Sequence, residues 1–140
     1  LPVKSKKKRK IRRYFYFFLF EEGSRMIIQK REQNDIWKNL YQFPMIESNN
    51  ELSDAEVIAA SAGLKIAGRF PLLLKSISRS YKHELTHQQI LARFIRIFSH
   101  FPQKMKDPYI VINKKEICNF AFPVLISNFL TENGIMDEVT

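Results

Sequence analysis

At 140 residues, with 45% hydrophobic and 13% aromatic side chains, the chain can bury one sizeable core, and most of it should fold. The formal charge is +9, yet eight of the 23 Lys and Arg fall in the first 13 residues, where there is no acid, and the rest carries 15 positive against 14 negative charges. A single cysteine, Cys118, excludes an internal disulfide framework, a cysteine-only zinc site and a complete iron–sulfur site within these residues.

Leu1 to Arg13 reads as a linker whose basic run tracks phosphates or is simply a solvated tail. A start at Leu1 instead of Met suggests a piece of something longer. Lys6 to Phe20 imitates a signal peptide, but its apolar run covers only Tyr14 to Phe20 and ends in Glu21-Glu22, so that reading is discarded. No apolar run reaches the roughly 18 residues of a membrane span. A cytoplasmic, membrane-free protein is expected.

Tyr14 to Phe20 is apolar throughout with high β-propensity, as in a strand covered on both faces. Glu21 to Ser24 is a turn, and Arg25 to Lys30 is the return strand of a hairpin. Asp35 to Pro44 reads as a structured loop running into a short strand, with Trp37, Tyr41 and Phe43 as core. Ser53-x-x-Glu56 is a capping box opening a helix that stops near Gly63. Pro71 breaks the chain. Lys75 to Lys82 alternates in the manner of a strand. Pro102 and Pro108 bound a basic loop, and Tyr109 to Ile112 is a short strand or helix lead-in. Asn113 caps a short helix over Lys114 to Cys118. Pro123 suits the first residue of a last helix that Asn133-Gly134 closes. Strands interleaved with helices give an α+β chain, a mixed sheet packed between helices.

Tyr81 to Ile90 can be read in three ways. His83-Glu84-Leu85-Thr86-His87 matches H-E-x-x-H, which on a helix offers two imidazoles to zinc and a glutamate base. Thr86-x-x-Gln89 is a capping box before Ile90, Leu91, Phe94, Ile97 and Phe98 at helical spacing. The flanking β-branched and aromatic residues instead make Leu85, Thr86 and His87 the tip of a hairpin, with Gln88 to Phe98 as its second strand.

Trp37-x-x-Leu40-Tyr41-x-Phe43-Pro44, with Glu47 and a helix after it, resembles the C-terminal domain of the adenine DNA glycosylases (MutY), a domain similar to the Nudix hydrolase MutT. Arg13-Tyr14-Phe15 resembles that family's first strand, Tyr81-Lys82-His83-x-Leu85-Thr86-His87 its hairpin tip, and Phe120-Ala121-Phe122-Pro123 the phrase before its last helix. Leu85 and Thr86 depart from the usual Phe-Ser, and Asn39 and Gln42 from the usual glycine and glutamate. The tripeptide Phe98-Ser99-His100 lacks the preceding histidine and is set aside. The resemblance implies a Nudix-like fold over 14–140 behind a basic interdomain linker over 1–13, both cut from a longer glycosylase.

It also implies a role. Duplex DNA with 8-oxoguanine opposite adenine would be the partner, beside the same protein's N-terminal catalytic domain, which carries the iron–sulfur cluster. This chain would need no cofactor and supply no catalytic residue. Thr86 would read the base edge, Leu85 would press against bases and His87 would contact backbone or base, with Lys6, Lys7, Lys8, Arg9, Lys30 and Arg31 on phosphates. The helix Asp54 to Ala62 lacks the R-E-x-x-E-E run with which Nudix hydrolases hold magnesium. The alternatives are a Nudix-type hydrolase of oxidised nucleotides, a module docking a protein through Phe101 to Tyr109, and a zinc peptidase through His83-Glu84-x-x-His87.

Overall fold

The computed structural model describes residues 9–64, 66 and 72–136. Lys6, Lys7, Lys8 and Pro71, singled out above, lie outside the described residues.

Everything is arranged on one long strand, β1 (Ile11–Glu22), which is apolar on both sides and so demands cover on both. It runs parallel to β7 (Gln88–Phe98) over its whole length, Ile11 opposite Gln88 and Glu21 opposite Phe98. β4 (Met45–Ser48) lies antiparallel to its first half. At the far end Gly23, with φ +57°, allows a two-residue turn into β2 (Arg25–Lys30). Only Glu21–Met26 and Glu22–Arg25 pair across that hairpin. β2 then leaves β1 to pair with β8 (Tyr109–Asn113) and β3 (Tyr41–Gln42). β5 (Leu73–Ile77) and β6 (Tyr81–Glu84) both lie antiparallel to β7.

Alternation along β1 sends Phe15, Phe17 and Leu19 to one face and Tyr16, Phe18 and Phe20 to the other. The first face is covered by α2 (Val124–Glu132) and a 3-10 helix (Lys114–Asn119), through Leu125, Ile126, Phe129 and Ile117. At its centre Phe94 stacks on Phe129, ring centroids 4.0 Å apart. The second face is covered by α1 (Asp54–Ser61), whose buried apolar residue is Val57. The expected mixed sheet between helices is therefore what forms. No helix of the described residues is long and apolar enough to cross a membrane.

The capping box is present as read: Ser53 Oγ accepts from Glu56 N, and Glu56 Oε1 accepts from Ser53 N. Three expectations are corrected. Ile11, Arg12 and Arg13, assigned to the linker, are the first residues of β1. Lys75 to Lys82 is not one strand. It breaks at 78–80, where Ser78 Oγ takes the place of a backbone carbonyl in accepting from Phe94 N while Ser78 N still donates to Phe94 O. The helix after Asn113 is 3-10, and Pro123 sits one residue outside α2 as its N-cap. The expectation that Gln88 to Phe98 is a strand holds despite its helical spacing, since Ile90, Ala92 and Phe94 face one core while Ile95 and Ile97 face the other.

Candidate nucleic-acid interface

The β6–β7 hairpin puts Glu84 opposite Gln89 and closes with Leu85 N donating to Gln88 O at 2.9 Å, so Leu85, Thr86 and His87 form its tip. Thr86 and His87 are exposed. Leu85 is half-buried and packs on the main core under the tip. Ile11 N donates to His87 O at 3.1 Å, tying the tip to the start of β1. As a result Thr86 and His87 share a 400 Å³ cleft with Arg9, Lys10 and Ile11.

The zinc reading has no geometric basis. His83 and Glu84 are successive residues of a strand and point to opposite faces. His83 lies against Trp37, ring centroids 5.5 Å apart. Glu84 accepts from Lys10 at 2.7 Å and from Gln89, bonds that hold its carboxyl down at about 2. His87 sits at the tip. Among the described residues no three His, Cys, Asp or Glu converge to hold a metal.

The tip is braced by an ion network. Arg13 donates to Glu47 at 2.7 and 3.0 Å, to Asp35 at 3.1 Å and to Gln88 at 3.3 Å, so one guanidinium joins β1, β4, the 35–39 loop and the first residue of β7. Its hydrogen bonds to Glu47 raise its pKa against the opposing effect of burial. Arg31 is the correction here. Expected on a phosphate, it is 3% exposed and spends Nε and Nη2 on Asp35 at 2.8 and 2.5 Å and Nη1 on Gln42 at 3.1 Å. Those bonds from Arg31, opposed by burial and helped by Arg13, bring the Asp35 carboxyl down to about 2. Lys30 is exposed at the end of β2, and Arg9 at the tip. Lys10, Arg12 and Arg13 belong to the basic run read as tracking phosphates; Arg12 and Arg13 lie in β1, and Lys10 pairs with Glu84.

A magnesium site of the hydrolase type does not fit α1. Asp54 accepts from Arg93 at 2.9 Å, and Glu56 is committed to the capping box. No carboxylate run follows them along the helix.

Compared with known families, residues 15–132 match the NUDIX domain. The chain belongs to that family. No curated protein matches it. Among solved structures this NUDIX domain is similar to a MutT protein of Methanosarcina mazei, at 16% identity over 91% of this chain and 95% of that one, TM-score 0.62. It is also similar to the C-terminal domain of mouse MUTYH, solved in complex with human PCNA, at 12% identity over 91% and 94%, TM-score 0.58. A third is an Ap4A hydrolase of C. elegans, at 4% identity over 90% and 97%, TM-score 0.60. At these identities the likeness is one of fold.

Proposed function

We propose that this NUDIX domain binds duplex DNA and reads 8-oxoguanine opposite adenine, as the C-terminal domain of an adenine DNA glycosylase. In this reading the reader begins with β1 at Ile11, the residues before it join it to the catalytic domain, and the removal of adenine belongs to that partner domain. The observation that carries it is the tip: Thr86 and His87 stand exposed in a cleft whose other walls are Arg9 and Lys10. Guanine N7 only accepts, whereas 8-oxoguanine offers an N7–H donor beside an O8 acceptor. The Thr86 hydroxyl accepts from that N7–H, a tip N–H or the His87 ring donates to O8, and the basic residues hold the backbone without specifying sequence. The likeness in fold to the MUTYH domain supports the assignment.

The test is Thr86→Ala, assayed for binding to 8-oxoguanine:adenine and guanine:adenine duplexes. Losing one base contact lowers the preference by about 1–3 kcal/mol, a factor of roughly 5 to 150. A variant that discriminates as well as wild type removes Thr86 from the reading.

Family membership supports a second reading, a hydrolase of oxidised nucleotides. The engagement of Asp54 with Arg93 and of Glu56 with Ser53 speaks against it. Magnesium-dependent turnover of an 8-oxo nucleoside triphosphate, lost in Glu56→Gln, would replace the reader by the hydrolase.

A further inference from the structure

The start of β1 has a second basic groove that the tip does not use. Alternation along the strand turns Ile11 towards the tip and Arg12 and Tyr14 the other way. On that other side Arg12 lies opposite Gln89 of β7, Tyr14 lies opposite Ser48 of β4, and Asn49 follows in the chain. Arg9, Lys10, Arg12, Tyr14, Asn49 and Gln89 line a groove of 740 Å³, larger than the 400 Å³ cleft at the tip. Three of the six are cationic, and among the described residues no carboxylate lines it.

The charges in the groove are differently occupied. Lys10 is held by Glu84 at 2.7 Å, and Gln89 donates to the same carboxylate, so this acid is spoken for at the groove's edge. Arg13, one residue further on, is saturated by Glu47 and Asp35. The Arg12 guanidinium forms no ion pair or hydrogen bond with any described residue and is exposed in the groove. The structure thus leaves the Arg12 guanidinium, like that of Arg9, unpaired among the described residues, and flanks Arg12 with an aromatic ring and a side-chain amide.

We infer that this groove holds the sugar–phosphate backbone of a nucleic-acid strand, as a contact separate from the base-reading tip. Arg12 forks onto phosphate oxygens, Arg9 adds charge from the ridge it shares with the other cleft, the Asn49 amide donates to a backbone oxygen, and the Tyr14 ring lies along a sugar. Arg9 and Lys10 line both grooves, so the start of β1 is a basic ridge with nucleic acid on either side. The inference rests on the duplex-binding reading above and adds to it a second, sequence-independent site.

The experiment uses the full 140-residue chain and its Arg12→Ala, Arg12→Lys and Thr86→Ala variants, with both duplexes at several salt concentrations. Thermal unfolding verifies that each variant is folded. Arg12→Ala is expected to weaken both duplexes alike, five- to tenfold near 0.1 M salt. It should make the slope of log K against log salt shallower by about 0.9 per lost phosphate. Arg12→Lys should restore most of the slope, because the charge returns without the fork. An unchanged slope and affinity in Arg12→Ala overturns the groove while leaving the tip intact, as does a change confined to one duplex. Wild-type protein that binds neither duplex takes down the groove and the duplex-binding reading together. Polyglutamate competing as well as DNA at matched charge assigns the groove to an acidic protein and overturns the proposal.

Discussion

Asp35→Ala tests the network that positions the interface. Its carboxylate takes two bonds from Arg31 and one from Arg13, and Arg31 is 3% exposed. Removing it leaves a buried guanidinium facing only Gln33, Gln42 and Met45, and an uncompensated buried charge costs about 3–5 kcal/mol. For a chain of this size roughly 3–4 °C of Tm follow each kcal/mol, so a fall of about 10 °C or more is expected. The pH dependence gives an independent figure. The carboxyl titrates at about 2 when folded against an ordinary 3.8, chiefly because Arg31 hydrogen-bonds its charged form. A folded pKa below the unfolded one gives stability that is complete above the unfolded value and lost as pH falls through the folded one. About two units at 1.36 kcal/mol each make ~2–3 kcal/mol, present at pH 6 and gone near pH 2. Urea unfolding of both proteins between pH 6 and pH 2 measures this, and the variant's profile should be flatter by that amount. Asp35→Ala with Arg31→Met should recover part of the loss, since no buried charge is then left alone. A single variant costing under about 1 kcal/mol, or one with the wild-type pH profile, would refute the reasoning. Because Arg13 also holds Gln88 at the base of the tip, the variant should bind both duplexes more weakly even where it is folded.

Glu21, at 0% exposure, accepts from Arg96 at 2.6 and 3.0 Å and from Lys114 at 2.8 Å. Burial alone would raise its pKa, yet those two cations together carry it below the ordinary value, so it stays charged. Glu21→Gln should cost on the order of 3 kcal/mol in urea unfolding at pH 7 while leaving the ratio of affinities for the two duplexes unchanged. Ser53→Ala removes the cap of α1 and should cost about 1 kcal/mol in thermal unfolding, with no effect on either groove.

What could be read along the chain was local or strongly patterned. A seven-residue apolar run, Tyr14 to Phe20, can only be a strand with cover on both faces, and such a strand implies helices on each side of a sheet. Ser53 and Glu56 define the start of α1 through bonds within one turn. The hairpin tip was legible because its flanks carry the strand signal and the tip does not.

Other features depended on partners distant in sequence. Gln88 to Phe98 has helical spacing and a capping box, and it is a strand because 11 residues of β1 lie parallel beside it and both its faces meet a core. Charge alone made Arg31 a candidate for phosphate, and burial against Asp35 and Gln42 turned it into a brace, while Leu85 faces inward because a core lies beneath it. Arg12 is the reverse case. The basic run announces positive charge by itself, but only the arrangement of β1, β4 and β7 decides which cation is neutralised and which stays open in a groove. Composition and local pattern set each strand's appetite for cover. Which side chains meet, and therefore which charges are spent, depends on the packing of segments tens of residues apart.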